Sequence, residues 1–389
     1  MAEESPVRHV ASIYTVFSQR CGAEMLSERL MAAATDLFPE IRWTVFCNRA
    51  GMAALRECAP RVVPIHVPWL ENQFAKVFWL EFLAAKAVDA LHADVFWNPS
   101  GCNNFPGGWK APTVTTFLDM AEYRVKAKYD FKRRWFRRQV CIPRSLRRSA
   151  AFTAISRYTA EDLVRFLGVR HPVAVVHCGP SPHLKPATAA PAAPLDSRLK
   201  PGRYFFVPGR TDFEGKGLDV LLAAHDRLGG AWPDGVQVVF VGPPGTGHRE
   251  FLERLRKSDA GRGRLIHLGR VEDAVLDALY AHCLATVIPS RSEGFGFPVL
   301  EAMEHGVPVV CSNAGSLPEV AGDAALSFES GDGGELAEKL KTIAADAALR
   351  KTLVERGRAR FRQFSWETCA REMRAEFESA ATIGSGKRA

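Results

Sequence analysis

Glu293 and Glu301 stand with seven residues between them, Gly294 and Gly296 among these, a spacing that could do chemistry. The preceding run Cys283–Ile288 is apolar and rich in β-formers, as in a strand buried on both faces. Gly294 and Gly296 permit a tight turn and close approach of backbone to a ligand. Pro298 falls in the first turn of a helix that runs on through Val299–Glu304 and ends near Gly306. Strand, glycine turn and helix N-terminus together predict an anion site suited to phosphate, because backbone N–H groups and the positive end of the helix dipole converge there. Carboxylates beside such a site are poor anion ligands. They are good acceptors for sugar hydroxyls on either side of a diphosphate. Either acid alone would serve as a helix N-terminal charge; the pair, with both glycines between, points to ligand binding.

A second loop of the same kind lies upstream. Tyr204–Pro208 reads as a strand running into Gly209 and Arg210, and Glu214-Gly215-Lys216-Gly217 leads into a helix over Leu218–Leu228. Arg210 and Lys216, six residues apart across a glycine-rich strand-to-helix loop, would converge on an anion above the sheet.

The Glu293-to-Glu301 spacing, followed by Gly306-Val307-Pro308-Val309-Val310 and Gly315-Ser316-Leu317-Pro318-Glu319-Val320, resembles the retaining nucleotide-sugar glycosyltransferases of family 4. The resemblance is strongest over roughly residues 203 to 325. It implies an α/β chain of GT-B architecture, two Rossmann-like doubly wound parallel-sheet domains facing a central cleft. It also implies a donor sugar held by Glu293 and the turn Gly294, Phe295, Gly296, Phe297 and Leu300, with the ribose on Glu301. Arg210 and Lys216 match the family's paired Arg and Lys. The nucleobase would meet backbone groups around Arg270 and Val271. The implied activity moves a sugar from a nucleotide diphosphate donor (GDP-mannose or a UDP-sugar) to a carbohydrate or lipid-linked acceptor in glycan biosynthesis. Anomeric configuration would be retained, acceptor oxygen and leaving phosphate meeting on one face of the sugar. No metal cofactor is expected, for the chain has no Asp-x-Asp motif, and Arg210, Lys216 and the helix dipole would carry the charge that grows on the leaving diphosphate.

These residues need two sheets to position them. A length of 389 residues suggests two or three domains. Strands at residues 10–17, 42–46, 61–65, 94–97, 113–117 and 151–156 alternate with helices, which predicts a parallel, doubly wound sheet whose ligands lie beyond the carboxyl ends of its strands. The expected division is an acceptor-side domain over 1–178, a Pro/Ala-rich linker over 179–202, a nucleotide-sugar domain over 203–364 and a final helical segment over 365–389 that returns to the first domain. On the acceptor side, Gly22 lies in the loop 18–23 after the first strand and, by the resemblance, near the acceptor. Asp119 follows the strand Thr113–Phe117, where it either meets the acceptor or caps a helix. Family members commonly carry His-Asp here. This chain has Leu118, so the role given to that His has no counterpart.

From Arg124 to Arg148 there are eleven cations and one acid, Asp130, a net of +10 against +8 for the whole chain. Trp135, Phe136, Val140 and Ile142 interleave with the cations as in an interfacial helix. An anionic membrane surface contacted by Lys132, Arg133, Arg134, Arg137 and Arg138 is therefore expected, with a basic groove for an acidic acceptor as the competing account. No recognition motif accompanies the charge, and nucleic acid is not an expected partner. Nine scattered cysteines without a CxxC pair argue for reduced thiols and against a zinc site. The acidic start Met1–Pro6 does not resemble a signal peptide. A cytoplasmic enzyme, peripheral at the inner face of the membrane, is the resulting expectation. Two alternatives remain: a nucleotide-sugar epimerase of the same architecture, which would need converging acid–base residues, and a non-catalytic nucleotide-sugar binder, which would be expected to lack one of Arg210, Lys216, Glu293 or Glu301.

Overall fold

A computed structural model of the chain describes residues 7–17, 22–124, 131–181 and 196–386. They form two compact units. One takes in the described residues within 1–122, 130–179 and 364–389, the other those within 123–129 and 180–363.

The first unit holds a sheet of seven strands: β1 (His9–Tyr14), β2 (Arg42–Cys47), β3 (Val63–His66), β4 (Val95–Asn98), β5 (Thr113–Phe117), β6 (Ala151–Ala154) and β7 (Val173–Val175). They pair in the order β3-β2-β1-β4-β5-β6-β7, every pair parallel. The central strands are apolar on both faces because helices cover both sides. Pro64 sits in β3, an edge strand, where its missing N–H spares the ladder. The last helix, Trp366–Gly386, belongs to this unit. Ser365 caps it by accepting from Thr368 N–H at 3.0 Å. Phe377 packs edge-on to Trp43 at 5.8 Å and to Trp97 at 6.5 Å. Arg374 reaches Glu40 at 3.0 Å.

The second unit holds six strands: β8 (Tyr204–Pro208), β9 (Gln237–Val241), β10 (Leu265–Gly269), β11 (Ala285–Ile288), β12 (Val309–Ser312) and β13 (Ala325–Phe328). Their order is β10-β9-β8-β11-β12-β13, again all parallel. The strand order reverses between β8 and β11, where Phe205 and Phe206 register with Ala285 and Thr286. In open α/β sheets, ligands bind beyond the carboxyl ends of the strands at such a switch point. β8 runs there into Gly209-Arg210, and β11 into the Glu293 turn.

Two sequence expectations are corrected in the first unit. Gly22 is not a loop residue: it opens the helix Gly22–Leu37, and residues 18–21 lie outside the described residues. The basic stretch is helical, over Phe131–Phe136, a wide π turn Arg137–Cys141 and Ile142–Arg148. Arg137, however, cannot face a membrane. It is buried, donating to Glu122 at 2.9 Å and to Asn103 at 3.2 Å. Arg144 and Arg148 are likewise engaged, both on Glu81 at about 3 Å. Acids outside the run therefore engage Arg137, Arg144 and Arg148. Residues 125–130, which carry Lys126, Lys128 and Asp130, lie outside the described residues. Among the described helices none is long and apolar enough to cross a membrane.

Candidate functional site

The Glu293 turn and the Lys216 loop are built against each other. Gly217 caps the helix Leu218–Leu228 in the left-handed region at φ 63°, and a Cβ there would lie 1.9 Å from the carbonyl oxygen of Pro289. Only glycine lets the two loops approach this closely. Arg291 clamps them further. Its N–H donates to Gly215 O at 3.1 Å, its guanidinium to Glu214 O at 2.7 Å, and it forms a two-pronged pair with Asp219 at 2.6 Å on each oxygen. Fork geometry of this kind fixes orientation as well as charge. Behind the turn Gly315, at φ 63°, would place a Cβ 2.6 Å from Glu293 O and 2.7 Å from Glu293 N. Ser316 donates to the same carbonyl oxygen through both Oγ, at 3.0 Å, and N–H, at 3.2 Å. The backbone of Glu293 is thus held from both sides.

The clamp brings Lys216 Nζ to 2.6 Å from Glu293 Oε1, and Ser290 Oγ donates to that same oxygen at 2.6 Å. Lys216 is only 25% exposed, so this pair is far better shielded than a surface one. Arg210 differs: 59% exposed, it leans toward Asp212 at 3.6 Å. Both cations nonetheless line one small cavity with Gly209, Thr211 and Ser290. A larger cavity of about 170 Å³ opens beside it among Phe213, Gly215, Lys216, Gly247, Ser292 and Glu293.

The helix Phe297–Glu304 starts from Gly296, at φ 100°, with no side chain capping its N-terminus and Pro298 in its first turn. Its dipole points its positive end at the turn. Phe295 and Leu300 are buried in the unit's interior, and Phe297 is half-buried against Phe295 at 5.1 Å. One turn along, Glu301 is half-buried, its Oε2 accepting from Tyr280 OH at 2.7 Å and its carboxylate also hydrogen-bonded to Ser181. Burial raises its pKa, while the two hydroxyls and nearby His305 and Lys216 oppose the rise. Tyr280 packs against Phe206 at 4.8 Å and stacks on His305 at 5.1 Å, so its phenol is held in one orientation. Arg270 is exposed and Val271 half-buried, on the loop after β10.

Asp119 lies in the other unit. Its Oδ1 accepts from Ala121 N–H, two residues on, at 3.1 Å and lies 3.5 Å from Arg137 Nη2. Glu122, also a partner of Arg137, has its pKa raised by burial.

Sequence reasoning picked out Glu293, Glu301, Arg210, Lys216 and the glycine turn, and the structure gathers all of these in one unit. It missed Ser290, Arg291, Asp219, Tyr280 and Gly315, which position them. Gly315 and Ser316 were quoted only as part of a motif. Their contact with the Glu293 backbone is a tertiary one.

Comparison with known proteins covers most of the chain. The model of the glycosyl transferases group 1 family matches residues 196–360, and that of Glycosyltransferase Family 4 matches residues 25–183. The chain is 43% identical over 120 residues to the O-antigen chain mannosyltransferase B of Escherichia coli, 31% of this chain and 32% of that one. It is 32% identical over 190 residues to a phosphatidyl-myo-inositol mannosyltransferase of Mycobacterium leprae, 47% of this chain and 48% of the relative. The chain thus spans about a third of the length of the first of these curated relatives and about half of the second. Among solved structures, sucrose-phosphate synthase from Thermosynechococcus elongatus superposes with a TM-score of 0.73 at 20% identity, covering 94% of this chain and 97% of that one. Anabaena HepE in complex with UDP and glucose does so with a TM-score of 0.72 at 19% identity, covering 96% and 99%. The fold shared with these neighbours is GT-B.

Proposed function

The chain belongs to the group 1 glycosyltransferases, and from that membership we propose that it transfers a glycosyl group from a nucleotide diphosphate sugar, with retention and without a metal. The observation that carries this reading is the meeting of Lys216 and Glu293 at the β8–β11 switch point, beside the helix N-terminus at Gly296. In this reading the diphosphate lies over that helix and takes Lys216 from Glu293, with Arg210 swinging in from solvent. Glu293, freed of its cation but still held by Ser290, accepts from hydroxyls of the donor sugar. Glu301, oriented by Tyr280, accepts from the ribose, and backbone groups at Arg270 and Val271 meet the base.

The bond from the anomeric carbon to the phosphate oxygen breaks as the acceptor oxygen bonds to the same face, and the acceptor proton passes to the leaving phosphate. Negative charge grows on the diphosphate in that step, where Lys216, Arg210 and the helix dipole stabilise it. Mannosyltransferases among the relatives make GDP-mannose the first donor to test. The UDP and glucose bound to HepE make UDP-glucose the second. The acceptor is a growing glycan or a lipid-linked sugar.

A thermal-unfolding panel of nucleotide sugars tests this. A ligand at about a hundred times its Kd stabilises by about 2.7 kcal/mol. GDP-mannose or a UDP-sugar should protect while a free sugar does not. No protection by any nucleotide sugar would overturn the reading.

A further inference from the structure

One helix of the first unit is apolar on two sides. It runs as Gln73–Phe78, a wide π turn Trp79–Leu83, and Ala84–Asp89. One side is core: Trp79, Leu80, Ala84 and Val88 are buried with Phe96, Phe105 and Cys141. The other carries Phe74, Phe78 and Phe82, spaced four residues apart and therefore in one stripe. Phe74 is 87% exposed and Phe82 68%. Trp69 stacks on Phe78 at 5.6 Å, and Phe78 leans on Phe82 at 5.0 Å, so these three rings touch in series, with Phe74 one turn before Phe78 in the same stripe, in place of the polar face a surface helix ordinarily shows. Single exposed apolar residues need no explanation, but a contiguous aromatic ridge marks a contact surface.

The basic helix lies alongside. Phe136, Val140 and Cys141 pack into the same core as Trp79 and Leu80, and Arg144 and Arg148 tie the two helices through Glu81. That helix turns Phe131, 72% exposed, and Trp135, 54% exposed, to solvent among the exposed Lys132, Arg133 and Arg138. Glu81, the acid on the ridge helix nearest the stripe, is held by those two arginines.

We propose that the Trp69–Phe74–Phe78–Phe82 ridge, flanked by the Phe131–Arg138 helix, is a membrane-docking surface that seats its rings at headgroup depth and its cations against anionic lipid. Aromatic rings beside Lys and Arg are the side chains that the boundary between headgroups and acyl chains favours. A second copy on the same face would set cations against cations across a two-fold interface. This inference needs no particular donor or reaction, and goes beyond the charge run because the ridge is neutral and lies outside it.

Co-sedimentation of the full chain with phosphatidylcholine vesicles, with and without phosphatidylglycerol, tests it. The unaltered protein should sediment with the anionic vesicles and lose binding as salt rises. Replacing both outermost rings, F74S/F82S, should lower partitioning about tenfold or more at unchanged thermal stability, because neither ring is buried. The single F74S variant should show a smaller loss, which keeps the test open if the double variant unfolds. K132S/R133S/R138S should abolish the preference for anionic lipid. Failure of the unaltered protein to sediment with either vesicle, or equal sedimentation of F74S/F82S, would overturn the proposal. So would a dimer, in the absence of lipid, that F74S/F82S dissociates.

Discussion

Gly217→Ala is a one-methyl perturbation that should disable the site from outside its ligand-binding groups. The added Cβ would stand 1.9 Å from Pro289 O, and the backbone there is left-handed at φ 63°. Left-handed backbone alone costs a residue with a Cβ about 1–2 kcal/mol. Relieving the overlap requires the loops to part by about 1 Å or more, with a further ~1–3 kcal/mol for overpacking. The total of about 2–5 kcal/mol should lower the melting transition of the second unit by about 4–20 °C, given ~2–4 °C per kcal/mol for a unit of this size. Parting the loops also stretches the 2.6 Å contact between Lys216 and Glu293, and a misplacement of about 1 Å costs ~10²-fold in rate. Gly261→Ala is the control: it has a comparable φ of 74° with nothing within 4 Å of the added Cβ, so it should show only the backbone cost and unchanged turnover. Calorimetry with release of nucleoside diphosphate from the donor reads both quantities. A Gly217→Ala protein with normal melting and normal turnover, or a Gly261→Ala protein equally impaired, would refute the reasoning.

Two further outcomes are expected. Glu293→Gln should lower turnover about tenfold or more with little change in nucleoside diphosphate affinity, while Glu301→Gln, which can still accept from Tyr280, should weaken nucleoside binding; titration calorimetry showing the reverse would exchange their roles. Glu304 has its pKa raised from 4.5 to about 7, chiefly by burial and then by Glu301 and Asp277. The folded protein therefore keeps a proton that the unfolded chain gives up. Its contribution to stability is fullest below about pH 4.5 and is lost as pH rises to about 7. Glu304→Gln should flatten this part of the melting-temperature profile and raise the melting point above pH 7; profiles of the same slope in both proteins would contradict it.

The fold was legible because alternating strand and helix segments leave little choice for a parallel sheet, and the site because glycines, acids and cations cluster at strand ends. The positioning residues were not. Arg291 finds Asp219 across 72 residues and Gly315 meets Glu293 across a turn, neither of which leaves a local pattern. Part of the positive run is paired in the same way: Glu122 meets Arg137, and Glu81 meets Arg144 and Arg148, acids that lie outside the run. The ridge was invisible because helical periodicity does not say which of two apolar faces is covered.

The central claim is that Lys216, at the switch point beside the Gly296 helix, binds the diphosphate. Its most direct measure is the affinity difference between a nucleoside diphosphate and the corresponding monophosphate, GDP against GMP and UDP against UMP, in the unaltered protein and in Lys216→Met. A hydrogen bond to a charged group contributes about 1.5–3 kcal/mol, so the diphosphate should bind about 10–100-fold tighter, and Lys216→Met should erase most of that difference. Equal affinities in the unaltered protein, or a difference that survives in Lys216→Met, would contradict the account.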